Sequence, residues 1–540
     1  MVKPDLEPAL LVLAPSYNAA IVNTSGTVLP SVNLLDGKAK QFDDGLYAAI
    51  DQAYYAGKGE TLKSHLDLIR RLHAGVGNKT RAADYLAGGL SIAREPPTTI
   101  SPRAQALAAT FLSNQVVSKP IAFYTWTPTL SDCFKVLRYF SRPINDPAVF
   151  QEIARALKAD PTLLADYQKA LSFYARLSNP LVGLSPADLI DKPSPAANIP
   201  VSLFPPSTSR ETELFDKLFP DGPPPDADLM RTLITAIRSG KVDLKPKKDG
   251  GWYDYQVHAL ETMLLPERGV ESNRLMLTKA YKKRMLAAFE ALITKRRETH
   301  SRSVKTSEAP GSSHPPAKLT SISPRLRVEP CPSYYLRTAR SYAFLANFLE
   351  STVGEEALKS LHGLREKGLR EGDLDAEVKF MRALFYGFYL LSAEDIGMKP
   401  EFLADEAVDR DLCEKTATEW LGKFKDDPDL AVDTRVAVPV SYDAARNTTR
   451  IWVTLGVRLT KLDVDYMIAP RIRPQSGEGE WAEVEAHLLR TASSLIAVDE
   501  FAEVEIPRGQ VYNRVELRAI CDAHKTRAAI LGALKKPASR

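Results

Sequence analysis

The chain has 540 residues, 44% hydrophobic and 26% charged, a composition that excludes a disordered or fibrous protein. Its 71 basic and 67 acidic residues leave a net charge of +4, which gives no global reason to expect a nucleic-acid or anionic-membrane partner. No stretch approaches the roughly 18 apolar residues of a transmembrane helix.

The first apolar run, ALLVLA from Ala9 to Ala14, follows Glu7 and lacks the basic flank of a secretory leader. Residues 9–34 carry β-branched residues among Pro15, Asn18, Asn23 and Gly26, a pattern that fits two short strands. From Gly45 the period becomes helical: Leu46, Ile50, Ala53 and Tyr54 share one stripe, and Leu62, Leu66, Ile69 and Leu72 continue it. Further helices follow, with Pro147 and Pro161 placed where proline suits a first turn. Two proline-rich excursions, 178–226 and 306–324, read as ordered surface loops or linkers. After Pro428 the pattern changes to alternation around the turn DAARNTT, which predicts a β-hairpin, and the final segment RVELRAICDAHKTRAAILGAL predicts a closing helix. The expected fold is therefore mainly α: a large irregular helical array or toroid-like body over 1–425, then a small antiparallel sheet region with a closing helix over 426–540.

Three ordered patterns give a resemblance. They are Tyr124-Thr125 with Leu130 and Phe134, the basic helix end LTKAYKKRMLAAFEALITKRRETH, and Val328-Glu329-Pro330-x-Pro332 with Tyr335. Together they resemble an uncharacterised family of bacterial and archaeal exported proteins, a domain of unknown function, over roughly residues 100 to 525. The chain departs from the family's pattern at Arg297-Glu298-Thr299-His300, where the family has histidine directly after arginine. The resemblance implies a mostly helical fold with a β end, and export to the periplasm or beyond. The chain by itself shows no leader, so the cytoplasm stands as the alternative.

Four places can carry chemistry. In GWYDYQVHALETMLLPERG, Asp254, His258 and Glu261 fall at i, i+4 and i+7 on one helix face. Carboxylates beside His258 would raise its pKa towards acid–base work, and Trp252 and Tyr255 flank it. The plainer reading is a docking seam with buried aromatics. Second, Lys295-Arg296-Arg297-Glu298-Thr299-His300-Ser301-Arg302 ends a helix, where cations are favoured by roughly 0.3–1 kcal/mol each. A solvated charged face explains it, and an anion grip through Arg296 or Arg297 is the functional alternative. Third, Tyr124 and Trp126, with Lys135 and Arg138 downstream, form either a stacking platform or core. Fourth, Glu329 beside Tyr334, Tyr335 and Arg337 is either a buried hydrogen-bonded corner or a general base.

The dinucleotide, Walker, zincin, serine-hydrolase and EF-hand motifs do not occur, and Cys133, Cys331, Cys413 and Cys521 are scattered without a CxxC pair. The sequence thus points to no cofactor and no metal. Two functions follow. One is a cell-envelope or secreted binding or scaffold protein holding a glycan, peptide or anionic ligand in an aromatic and basic groove. Its ligand-binding residues are expected among Tyr124, Trp126, Trp252, Asp254, Arg296, Arg297 and His300. The other is a polysaccharide-degrading enzyme, lyase or glycoside hydrolase, with His258, Tyr255, Glu329 and Tyr335 as acid–base residues.

Overall fold

The structure is a computed structural model that describes residues 11–22, 24–57, 63–192, 199–220, 223–224, 227–272, 274–302, 326–468, 471–472, 482–483, 488–507 and 511–536. It is mainly α, with nineteen α-helices among the described residues and a three-stranded antiparallel sheet within 436–507. Proline and polar caps set many helix starts. Thr127, Asp146 and Asp160 cap helices Pro128–Phe140, Pro147–Ala159 and Pro161–Leu177, each with proline in its first turn.

At the centre lies the helix Val32–Ala56. Ser31 accepts from Leu34 N at its start, Glu329 Oε2 accepts from Val32 N over 2.8 Å, and Gly57 closes it with φ of +70°. Such a left-handed closing residue suits glycine, which has no Cβ to strain. The expected apolar stripe is buried at Leu46, Ile50 and Tyr54. Most of the rest of this helix is buried too, including Asp36, Lys40, Asp43, Asp44 and Asp51, while Gln41, Gln52 and Ala53, the last a member of the expected stripe, are half-buried. A helix wrapped on nearly all sides is unlike the one-sided amphipathic pattern.

Around it, helices Trp252–Leu264, Lys279–Thr299, Pro332–Thr352, Leu374–Asp395 and Arg410–Lys423 share one hydrophobic core. A second core joins helices His65–Gly75, Arg81–Ile92, Pro128–Phe140, Pro147–Ala159 and Pro161–Leu177. Part of the first proline-rich excursion is built into this second core. Val201, Leu203 and Phe204 are buried, and Ile144 N and Phe204 N hydrogen-bond Val201 O and Phe140 O. The excursion 306–324 lies outside the described residues.

The expected hairpin consists of strands Val436–Asp443 and Thr448–Ile468, with Leu488–Pro507 paired along the second. Alternation sorts its two faces. Val438, Val440 and Trp452 enter the main core, while Ala437, Ile451 and Val453 pack under the C-terminal helices. The sheet is thus sandwiched between body and terminus. The closing segment forms two helices, Arg514–Ala523 and Arg527–Leu534, because Thr526 caps a new start. The described part of the N-terminal region, 11–34, differs from two strands. It forms a short helix, Tyr17–Ile21, and single bridges Val12 to Thr526, Ala14 to Val457 and Val28 to Leu495. These contacts tie it to the sheet and the C-terminal helices without a strand of its own.

Candidate functional site

The basic helix end is not a solvated face. Lys295, Arg296, Arg297, Glu298, Thr299 and His300 are all at most 2% exposed. They meet the acidic side chains of Val32–Ala56 and of two distant segments. Lys295 Nζ lies 2.8 Å from Asp499 and donates to Tyr17 over 2.7 Å. Arg296 bridges Asp36 and Asp43. Arg297 contacts Glu211 at 2.8 Å, and that carboxylate also accepts from Tyr253. Glu298 receives Lys40 at 2.5 Å and Arg514 at 2.6 Å, and both cations also reach Asp44. Arg302 stands 3.4 Å from Asp51, which accepts from Tyr124 and Tyr174.

This core holds Lys40, Lys295, Arg296, Arg297, Arg302 and Arg514 against Asp36, Asp43, Asp44, Asp51, Glu211, Glu298 and Asp499. That is six cations and seven carboxylates, so one acid is in excess. Burial pushes Asp43 up to about 7, against the pull of Arg296 and the Tyr342 hydrogen bond. Buried ion pairs of this kind contribute little net stability, but losing one partner costs about 3–5 kcal/mol. Their geometry is that of a cross-link between segments remote in sequence.

The predicted site residues are distributed as follows. His258 has a side chain 22% exposed and lies 3.8 Å from Glu261, which Arg337 contacts at 2.7 Å. Burial first, then Arg337, lowers His258 to about 3, so the expected upward shift is corrected: desolvation and the arginine outweigh the carboxylate. Asp254 leaves that cluster, accepting from Arg210 over 2.6 Å and Asn179 over 2.8 Å. Glu329 is fully buried between Val32 N and Arg284 Nη2, the latter at 2.7 Å, and Tyr335 donates to its backbone oxygen over 2.6 Å. Trp252 and His300 are both 0% exposed, their rings 5.9 Å apart, and His300 Nε2 lies 2.9 Å from Gln256 Oε1. Burial, then Arg296, lowers His300 well below its usual range. Tyr124 is buried with its hydroxyl on Asp51, so it presents no platform; Trp126 is half-buried, 6.0 Å from the Arg514 guanidinium.

His258, Arg297 and the pair Glu329–Tyr335 therefore belong to three separate clusters. Tyr255, like His258, is only half-buried. Its ring stacks on Phe344 at 4.3 Å and 17°, and Phe344 continues to Phe348 at 6.2 Å and 11°. Phe344 and Phe348 floor a groove of ≈ 480 Å³ between helices Pro161–Leu177 and Pro332–Thr352, with Tyr255 stacked behind Phe344. Phe173 completes the floor, Arg176 lies 4.7 Å over the Phe344 ring, and Ser172, Asn347, Ser351 and Thr352 supply polar edges with Lys169. The volume suits a small-molecule or oligomer subsite.

Sequence reasoning missed Phe344, Phe348 and Arg176. The spacing of Phe344 and Phe348 at i, i+4 was visible, but their helix is rich in aromatics and only its packing shows which ones reach the surface. It also missed the acids of Val32–Ala56.

No group of three or more metal-ligating side chains occurs among the described residues. No helix among them is long and apolar enough to cross a membrane. All four cysteines are buried and free. No family model, curated protein or solved structure matches the chain.

Proposed function

We propose that the protein is a binding protein of the cell envelope, and that it holds an acidic glycan in the groove between helices Pro161–Leu177 and Pro332–Thr352. The observation that carries this reading is the pair of near-parallel rings Phe344 and Phe348 lining the groove beside Arg176, with Tyr255 stacked on Phe344 behind them. Flat aromatic faces suit the apolar faces of sugar rings, and a guanidinium suits a uronate carboxylate. Hydroxyl and amide edges at Ser172, Asn347 and Thr352 match sugar hydroxyls. Placement in the envelope rests on the family resemblance.

Binding is favoured over catalysis because the acid–base candidates lie in three clusters, with Arg297, Glu329 and Tyr335 buried. Calorimetric titration with oligo-uronates and with neutral oligosaccharides of equal length tests the reading. The acidic series is expected to bind, and Phe344→Ala to weaken it at least tenfold. Equal binding by Phe344→Ala, or cleavage of the oligomer, would contradict it.

A further inference from the structure

A second, smaller cavity of ≈ 50 Å³ lies behind the groove, on the other side of helix Pro161–Leu177. Phe173 faces the groove while Tyr174 lines the cavity. His65 and Arg302 line it too, only 2% and 8% exposed. The Tyr174 ring sits between them, its centroid 5.3 Å from that of His65 and 4.3 Å from the Arg302 guanidinium carbon.

His65 and Arg302 each keep one buried nitrogen, Nδ1 and Nε respectively, without a hydrogen-bond partner. The Asp51 carboxylate lies 3.4 Å from Arg302 Nε, but its oxygens take the Tyr124 and Tyr174 hydroxyls. A guanidinium so enclosed normally donates several hydrogen bonds, since an unpaired buried donor is costly. The remaining wall is mostly apolar, from Leu137, Ala170 and Phe204, with Ser141 and Ser207 as its other polar members. At about 10–15 Å³ per water-sized occupant, the space holds about four non-hydrogen atoms.

We infer that this cavity is a binding site for a short-chain carboxylate, its carboxylate on Arg302 and His65 and its alkyl end against Leu137, Ala170 and Phe204. The site is independent of the glycan reading. Burial, then Arg302, lowers His65 to about 3, so the imidazole meets the anion as a neutral hydrogen-bond donor.

The full chain is titrated calorimetrically with sodium acetate against sodium chloride at matched ionic strength. Saturable one-to-one acetate binding is expected. Ala170→Leu, which fills the cavity without changing charge, is expected to weaken it at least tenfold, and Phe344→Ala in the groove to leave it unchanged. If Ala170→Leu does not fold, His65→Phe decides by the same criterion. The inference is overturned by no saturable acetate binding in the wild-type chain, by undiminished binding in the folded cavity variant, or by loss of binding in Phe344→Ala.

Discussion

Arg514 Nη2 lies 2.7 Å from Asp44 Oδ2, joining the first C-terminal helix to the central helix across 470 positions. The same guanidinium holds Glu298 through Nε at 2.9 Å and Nη2 at 2.6 Å. One side chain thus fastens the terminus, the basic helix end and the buried helix together. This relationship shows why Lys295, Arg296 and Arg297, which look like an anion grip in sequence, have no anion to seek: their carboxylate partners are supplied within the fold.

The charged core should therefore behave as structure. Arg296→Met is expected to lose about 3–5 kcal/mol, because it strands Asp36 and Asp43 without their cation. The triple variant Arg296→Met, Asp36→Leu, Asp43→Leu should regain more than half of that loss. Denaturant unfolding measures both.

Asp43 should give the core a distinct pH signature. Burial raises its folded pKa from the usual 3.8 to about 7. The folded state then holds a proton that the unfolded state has released, so this group favours folding at low pH. Its contribution fades as pH rises from about 4 to about 7 and is flat above. Asp43→Asn keeps the neutral hydrogen-bonding form and should remove that slope. Unfolding curves across the range provide the check.

Glu329 caps the central helix and holds Arg284. Glu329→Ala should cost about 3 kcal/mol by freeing both a helix N–H and a buried cation, whereas Glu329→Gln should lose less. Neither change should alter glycan affinity. A selective loss of ligand turnover at unchanged stability would instead assign Glu329 a chemical role.

Arg176→Met should separate charge from stacking in the groove. The variant keeps the stem over Phe344 and loses the guanidinium. Affinity for uronate oligomers should fall about tenfold, while any affinity for neutral oligomers stays level. The salt dependence of wild-type binding should weaken with it.

The fold class was legible because periodicity survives burial on one side: Leu46, Ile50 and Tyr54 announced a helix, and the alternation around Asp443–Thr448 announced a hairpin. What could not be read was burial on the opposite side. Asp36, Lys40, Asp43 and Asp44 look like a solvated stripe until Arg296, Glu298 and Arg514 arrive from elsewhere in the chain. The N-terminal residues fit strands by composition yet gained only single bridges to the sheet, since their partners are fixed by tertiary packing. The groove depended on the same kind of information. Tyr255 and Phe344 come from different helices, and nothing local says that they stack.

The most direct test of where the ligand sits is hydrogen–deuterium exchange of the full chain with and without a uronate oligomer. Slowed exchange in the helices Pro161–Leu177 and Pro332–Thr352 and at the start of Trp252–Leu264, with the charged core unchanged, is the expected result. Protection confined to other surfaces, or none at saturating ligand, would contradict the account.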